Sequence, residues 1–132
     1  MKRQKELAVK VMEVANQETG WNFQLDHEED VYLVGTAFRN QKGHEIAIYF
    51  LIGENMAELQ VISINSKYDY EYLVKKINET ALRYPVYAMG VGDNDIAIKS
   101  PILLEALDRY VANIIRRRMI DMIQTMKDII SH

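Results

Sequence analysis

Hydrophobic positions along the chain follow two periods. Over residues 3–18, Leu7, Val11, Val14 and Ala15 recur at helical spacing, and Thr19-Gly20 supplies a stop. Trp21, Phe23 and Leu25 then alternate with Asn22, Gln24 and Asp26, the period-two pattern of a half-buried strand. The polar cluster His27-Glu28-Glu29-Asp30 reads as a turn. Residues 31–39, rich in Val, Tyr, Thr and Phe, predict a second strand. Asn40-Gln41-Lys42-Gly43 turns into a third over 44–52, and Gly53-Glu54-Asn55 into a fourth over 56–64. Loops this short exclude long crossovers, so the four strands form an antiparallel meander.

The helical period then returns. Tyr70, Leu73, Val74, Ile77 and Ala81 make one stripe, with Ser66 as N-cap, Asp69 three residues on, and Pro85 closing the helix. Val86–Val91 predicts a fifth strand, Gly92-Asp93-Asn94-Asp95 a hairpin turn, and Ile96-Ala97-Ile98 a sixth strand. Ser100-Pro101 supplies an N-cap followed by Pro at the first helical position, so the last helix is expected over about 102–130. The order α-β-β-β-β-α-β-β-α is that of an α+β fold, one domain over 1–132.

Two central strands are apolar on both faces. In the third, Ile46, Ile48, Phe50 and Ile52 oppose Ala47, Tyr49 and Leu51; in the second, Val31, Leu33 and Ala37 oppose Tyr32, Val34 and Phe38. The fourth alternates cleanly, Leu59 and Val61 against Glu58 and Gln60. A sheet with one solvated face should alternate throughout. Either helices of the same chain cover both faces, or a second subunit or a bound peptide segment covers one. Tyr32, Tyr49 and Leu51 are the sheet residues expected at such a contact.

In the final helix Val111, Ile115, Met119, Met122, Met126 and Ile129 step by 4, 4, 3, 4 and 3, which in its latter part matches a coiled-coil seam. Arg118 falls near the middle of this apolar face at about 100° per residue. The stripe is therefore expected to rotate there, with Arg118 reaching past the core. Met119, Met122 and Met126 offer an adaptable partner-binding surface; the other expectation for them is ordinary core packing.

Composition narrows the function. A net charge of −3 argues against a general nucleic-acid binder. Uncharged apolar runs such as Ile46 to Gly53, eight residues, fall far short of a membrane span, so none is expected. Lys10 and Glu13 interrupt the apolar segment behind the basic N-terminus, which does not read as a signal peptide. The absence of cysteine removes disulfides and thiolate chemistry and suits the cytoplasm.

No catalytic, cofactor-binding or metal-binding set emerges. His27, His44 and His132 form no ligand pair at helical spacing. Asp93-Asn94-Asp95 lacks the rest of a calcium loop. Gly90-x-Gly92 leads into a hairpin, not into the helix a phosphate loop needs. There is no Gly-x-Ser-x-Gly elbow. Glu28, Glu29 and Asp30 sit in a turn with no pocket to raise a carboxyl pKa. Arg116-Arg117-Arg118 fan over about 200° of a helix and cannot enter one groove. Tyr68 and Tyr72 share a helix face, a placement compatible with packing or with an interface.

The element order resembles that of the YbjN family, whose fold is similar to that of the type III secretion chaperones. The likeness is carried by the element order, by the Gly20-Trp21 approach to the first strand, by Ile77-Asn78 on the second helix, and by the Gly92-Asp93 hairpin leading to Ser100-Pro101. It implies a small acidic cytoplasmic protein, a homodimer, that binds other polypeptides without chemistry of its own; family members are labelled sensory transduction regulators. The expected function is thus a non-enzymatic, chaperone-like or regulatory protein-binding domain, with a small-molecule pocket between sheet and helices as the alternative.

Overall fold

The computed structural model describes residues 2–64, 66–91 and 94–132. The chain runs α1 (Lys2–Thr19), β1 (Gln24–Glu28), β2 (Val31–Arg39), β3 (Glu45–Ile52), β4 (Met56–Ile64), α2 (Tyr70–Ala81), β5 (Tyr87–Gly90) and β6 (Ile96–Leu103). It ends in α3 (Leu104–Arg109), α4 (Val111–Asn113), a π-helical segment (Ile114–Met119) and α5 (Ile120–Ser131). The fold is α+β, and the strands form one six-stranded sheet in the order β1-β2-β3-β4-β6-β5, antiparallel throughout. The meander is as the alternation predicts. The crossover through α2 places β5 at the edge, so β6 folds back between β4 and β5.

Period two decides which side chains meet the helices. Val34, Ile46, Ile48, Phe50, Ile52, Leu59, Val61, Ile96 and Ile98 are essentially sealed, and they share one core with Leu7, Ala8 and Val11 of α1 and with the buried residues of the C-terminal helices. Helix α1 packs on β1, β2 and β3, α3 on β4 and β6, α5 on β4, and α2 on β5 and α5. All of these contacts use the same face of the sheet. Gln4 fixes the start of α1 by donating from Nε2 to the carbonyls of Asp30 (2.8 Å) and Ile52 (2.9 Å). Asn16 fixes its end: Oδ1 accepts from Phe23 N (2.6 Å) and Nδ2 donates to Phe23 O (3.2 Å).

That amide pairing explains the first departure from the sequence expectation. Phe23 has a side chain for a partner instead of a strand, so β1 begins at Gln24, and His27 and Glu28 extend the strand where a turn was expected. The turn shrinks to Glu29-Asp30, with Glu29 at φ 50°.

Helix α2 is capped by Asp69, whose Oδ1 accepts from Glu71 N (2.9 Å) and Tyr72 N (3.3 Å). Ser66 is not the cap: it is buried and accepts from Ser63 Oγ at 2.6 Å. With this start, Leu73 and Thr80 face inward and Ile77 packs against the core, while Tyr70, Val74 and Ala81 of the expected stripe are exposed.

Ser100-Pro101 does not begin a helix. β6 continues to Leu103, and Ser100 turns its Oγ inward to donate to Pro85 O at 2.5 Å. Proline is tolerated in a strand where its nitrogen faces an open edge. β5 pairs only with Ile96–Lys99, so that edge of β6 is open from Ser100 onward. The hairpin expected over Gly92–Asp95 lies partly outside the described residues.

The last helix is interrupted twice, at Tyr110 (φ −122°, ψ 31°) and by the π-helical segment. A π turn closes its hydrogen bonds one residue later than an α turn, so the segment absorbs one extra residue. Everything after it keeps the phase of a helix one residue shorter, a shift of about 100°. The shift brings Met119, Met122, Ile123 and Met126 under the sheet beside Val111 and Ile115 and moves Arg118 to the flank. This is the rotation expected from the stripe, and the π segment is its cause.

Candidate protein-contact face

The second face of the sheet carries no helix among the described residues. Its side chains are the alternate set: Leu33, Gly35 and Ala37 on β2, Ala47, Tyr49 and Leu51 on β3, Glu58, Gln60 and Ile62 on β4, Ala97, Lys99 and Pro101 on β6, and Tyr87 and Met89 on β5. The register aligns them into rows across the strands. One row runs Ala37, Ala47, Ile62, Ala97, Met89; the next runs Gly35, Tyr49, Gln60, Lys99, Tyr87; a third runs Leu33, Leu51, Glu58, Pro101. Tyr49, Leu51 and Ile62 are only partly buried although they stand in the middle of the sheet, and Met56, Tyr87, Met89 and Leu103 around them are 43–64% exposed. The alternative that helices of this chain cover both faces is therefore corrected.

The middle row has built-in order. The Tyr49 ring lies over Gly35, where an added Cβ would stand 2.4 Å from Cδ1 and 3.1 Å from the Ile48 carbonyl. Glycine at this position lets the ring lie flat on the strand. Glu58 accepts from Gln60 Nε2 (2.7 Å) and Tyr87 Oη (2.8 Å), one bond on each carboxylate oxygen. The bond to Glu58 raises the Tyr87 hydroxyl pKa above its ordinary value, since losing the proton would set two anions together. Lys99 makes no ion pair among the described residues.

The six residues expected at a partner contact separate cleanly. Tyr49 and Leu51 lie together on the bare face. Tyr32 lies on the opposite face, buried, with its ring stacked on His27 at 4.2 Å. Met119, Met122 and Met126 have no exposed surface and belong to the core, so their reading as an adaptable surface is corrected: the π segment turns them inward. Of the tyrosines on α2, Tyr72 stacks on His132 at 3.6 Å and Tyr70 is exposed.

Two polar features lie elsewhere. Beneath the open edge of β6, Arg118 holds its guanidinium 5.1 Å from the Tyr84 ring centre and donates to Ser100 Oγ (3.3 Å) and to the Pro101 carbonyl (3.4 Å). Tyr84 and Arg83 both donate to Asp121 Oδ2, at 2.5 and 2.7 Å. Burial, with the bond to Asp121 second, pushes the Tyr84 hydroxyl far above the usual tyrosine range, and burial lowers the Arg118 pKa. The other feature is an open cleft of about 840 Å³ between α1, the β3–β4 turn and α3, lined among others by Arg3, Glu6, Lys10, Glu54 and Asp108. Lys10 is already bound to Asp108 there, at 2.9 Å.

Among the described residues no group of three or more His, Cys, Asp or Glu side chains is placed to hold a metal ion. No helix among them is long and apolar enough to cross a membrane. Comparison with protein-family models, with curated proteins and with solved structures returns no match.

Proposed function

We propose that this chain is a non-enzymatic protein-binding domain of chaperone-like or regulatory kind, cytoplasmic, and used as a homodimer. One observation carries the proposal: the central strands present Tyr49, Leu51 and Ile62 on a broad sheet face that no helix among the described residues covers. Aliphatic surface of that extent gains about 25 cal/mol per Å² when another polypeptide removes it from water. The resemblance to the YbjN family implies the same kind of role, and the cysteine-free composition is compatible with the cytoplasm.

Sedimentation equilibrium of the purified chain, beside a Leu51→Asp variant, tests this. The expected result is a wild-type dimer that the variant weakens while its secondary structure stays intact. A wild-type chain that stays monomeric and takes up no polypeptide would overturn the proposal.

The cleft favours a second reading, a small-molecule site. Its volume lies in the range of ligand pockets. A rise in melting temperature with one member of a metabolite panel, lost in Arg3→Ala, would support it.

A further inference from the structure

We infer that the bare face pairs with the same face of a second copy, about a two-fold axis that lies between the two sheets and passes midway between Glu58 and Lys99. This rests on the contact-protein proposal above and names the occupant of its face.

The starting point is a charge problem. Glu58 and Lys99 stand near the middle of an otherwise mostly apolar face. Covering them with a plain apolar partner would bury a carboxylate and an ammonium that form no ion pair with each other, which is unfavourable. The occupant must therefore bring a cation to Glu58 and an anion to Lys99, at matching separation. Glu58 on β4 stands opposite Pro101, and Lys99 on β6 stands opposite Gln60. The two charges are diagonal neighbours on adjacent strands, with Cβ atoms about 7 Å apart. Half a turn about an in-plane axis that bisects this diagonal exchanges the two positions. Glu58 then faces Lys99 of the partner subunit, and Lys99 faces Glu58 of the partner subunit. A second copy meets the requirement through symmetry alone, in the isologous manner of a closed dimer.

The local structure is prepared for this. Gln60 and Tyr87 hold the Glu58 carboxylate from two sides, so it need not be ordered on association. Lys99 has no ion pair among the described residues to give up. Tyr49 lies flat over Gly35 and keeps the middle of the face low.

The area also suits. The six strands, four to nine residues long at about 3.3 Å per residue and about 4.8 Å spacing, cover roughly 700 Å² in plan. Side-chain relief brings this near the ~800 Å² per partner of a standard stable interface. Perpendicular to that diagonal, the axis sets the strands of the two sheets at roughly 70° to each other, nearer the orthogonal than the aligned class of sheet packing.

Complementary charge reversal tests the geometry. Glu58→Lys gives a chain with two cations on the face, and Lys99→Glu gives one with two anions. Each alone sets like charges together twice per interface, and its self-association should weaken at least hundredfold against wild type. Mixed in equal amounts they restore both pairs, and sedimentation should recover a heterodimer. Misfolded chains could not reassociate on mixing, so recovery also reports that both variants fold. If wild type is a dimer and the single reversals leave it one, or if the mixture stays monomeric, the face assignment is overturned and the contact-protein proposal stands. If wild type does not self-associate, the assignment fails with the homodimer itself.

Discussion

Deletion of Arg117 should leave the protein folded, because the π-helical segment already holds one residue more than the core requires. Arg117 is exposed and central to Ile114–Met119. Removing it lets the segment close as an ordinary α-helix. Counting at about 100° per residue from Val111, the shortened helix keeps Val111, Ile114, Ile115, Met119, Met122, Ile123, Met126, Ile129 and Ile130 within an arc of about 140°. The same residues of the full-length chain in an uninterrupted α-helix would spread over about 180° and enclose Arg118. The deletion thus removes the irregularity and keeps the buried set, and the expected change in stability is within about 1 kcal/mol, the scale of one net hydrogen bond. Deletion of Gln124, also exposed but in α5, is the control. It turns Met126, Ile129 and Ile130 by about 100° away from the sheet, and at about 1.5–3 kcal/mol per buried side chain the loss reaches the whole stability of a small domain. Urea unfolding followed by circular dichroism, repeated over a tenfold range of protein concentration to separate association, measures both. Loss of folding on deleting Arg117, or equal tolerance of the two deletions, would refute the account of the π segment as an absorbed residue.

Other outcomes follow from single contacts. Met122→Ala should cost about 2–5 kcal/mol in the same unfolding assay, since the side chain is fully buried. Asp69→Ala should cost about 1 kcal/mol through the lost cap of α2. Tyr84→Phe should change the alkaline limb of the stability curve. The folded protein holds the Tyr84 proton more tightly than the unfolded chain does, so the contribution is complete below the ordinary value of 10 and is lost as pH rises above it. Wild type should therefore lose stability above pH 10 more steeply than the variant in pH-dependent unfolding. Glu18 accepts two hydrogen bonds from Arg116, and its carboxyl pKa is lowered below 4.5. That contribution is present above 4.5 and is lost as pH falls through the lowered value; NMR titration of Glu18 should show its midpoint return upward in Arg116→Gln.

The strands were legible because alternation is a local signal. Glu58 and Gln60 against Leu59 and Val61 already assign β4 its two faces, and the short polar turns compel antiparallel pairing. What escaped the sequence depends on distant partners. Ser100-Pro101 has the chemistry of a helix start, yet the short β5 leaves an open edge at which proline is acceptable. Ser66 and Asp69 are both good caps, and only the pairing of Ser66 with Ser63 removes one from the choice. The methionines of the last helix look the same at a surface or in a core; the misplaced Arg118 was the signal that the helix changes phase. The bare sheet face was half legible. Tyr49 and Leu51 share a side by parity, but which side the helices take is decided by packing. A glycine inside a strand could have pointed to Gly35 as the seat of a ring.

The open end of β6 bears on how large an assembly this chain can build. Pro101 offers no N–H along that border, and Arg118 already occupies its carbonyl. An incoming strand would find little to bond with along that stretch, so strand addition there is disfavoured. Growth by faces would end when two molecules had met; growth by borders would have no such limit. Proline and arginine at one end of a single strand thus shield that part of the border against indefinite growth.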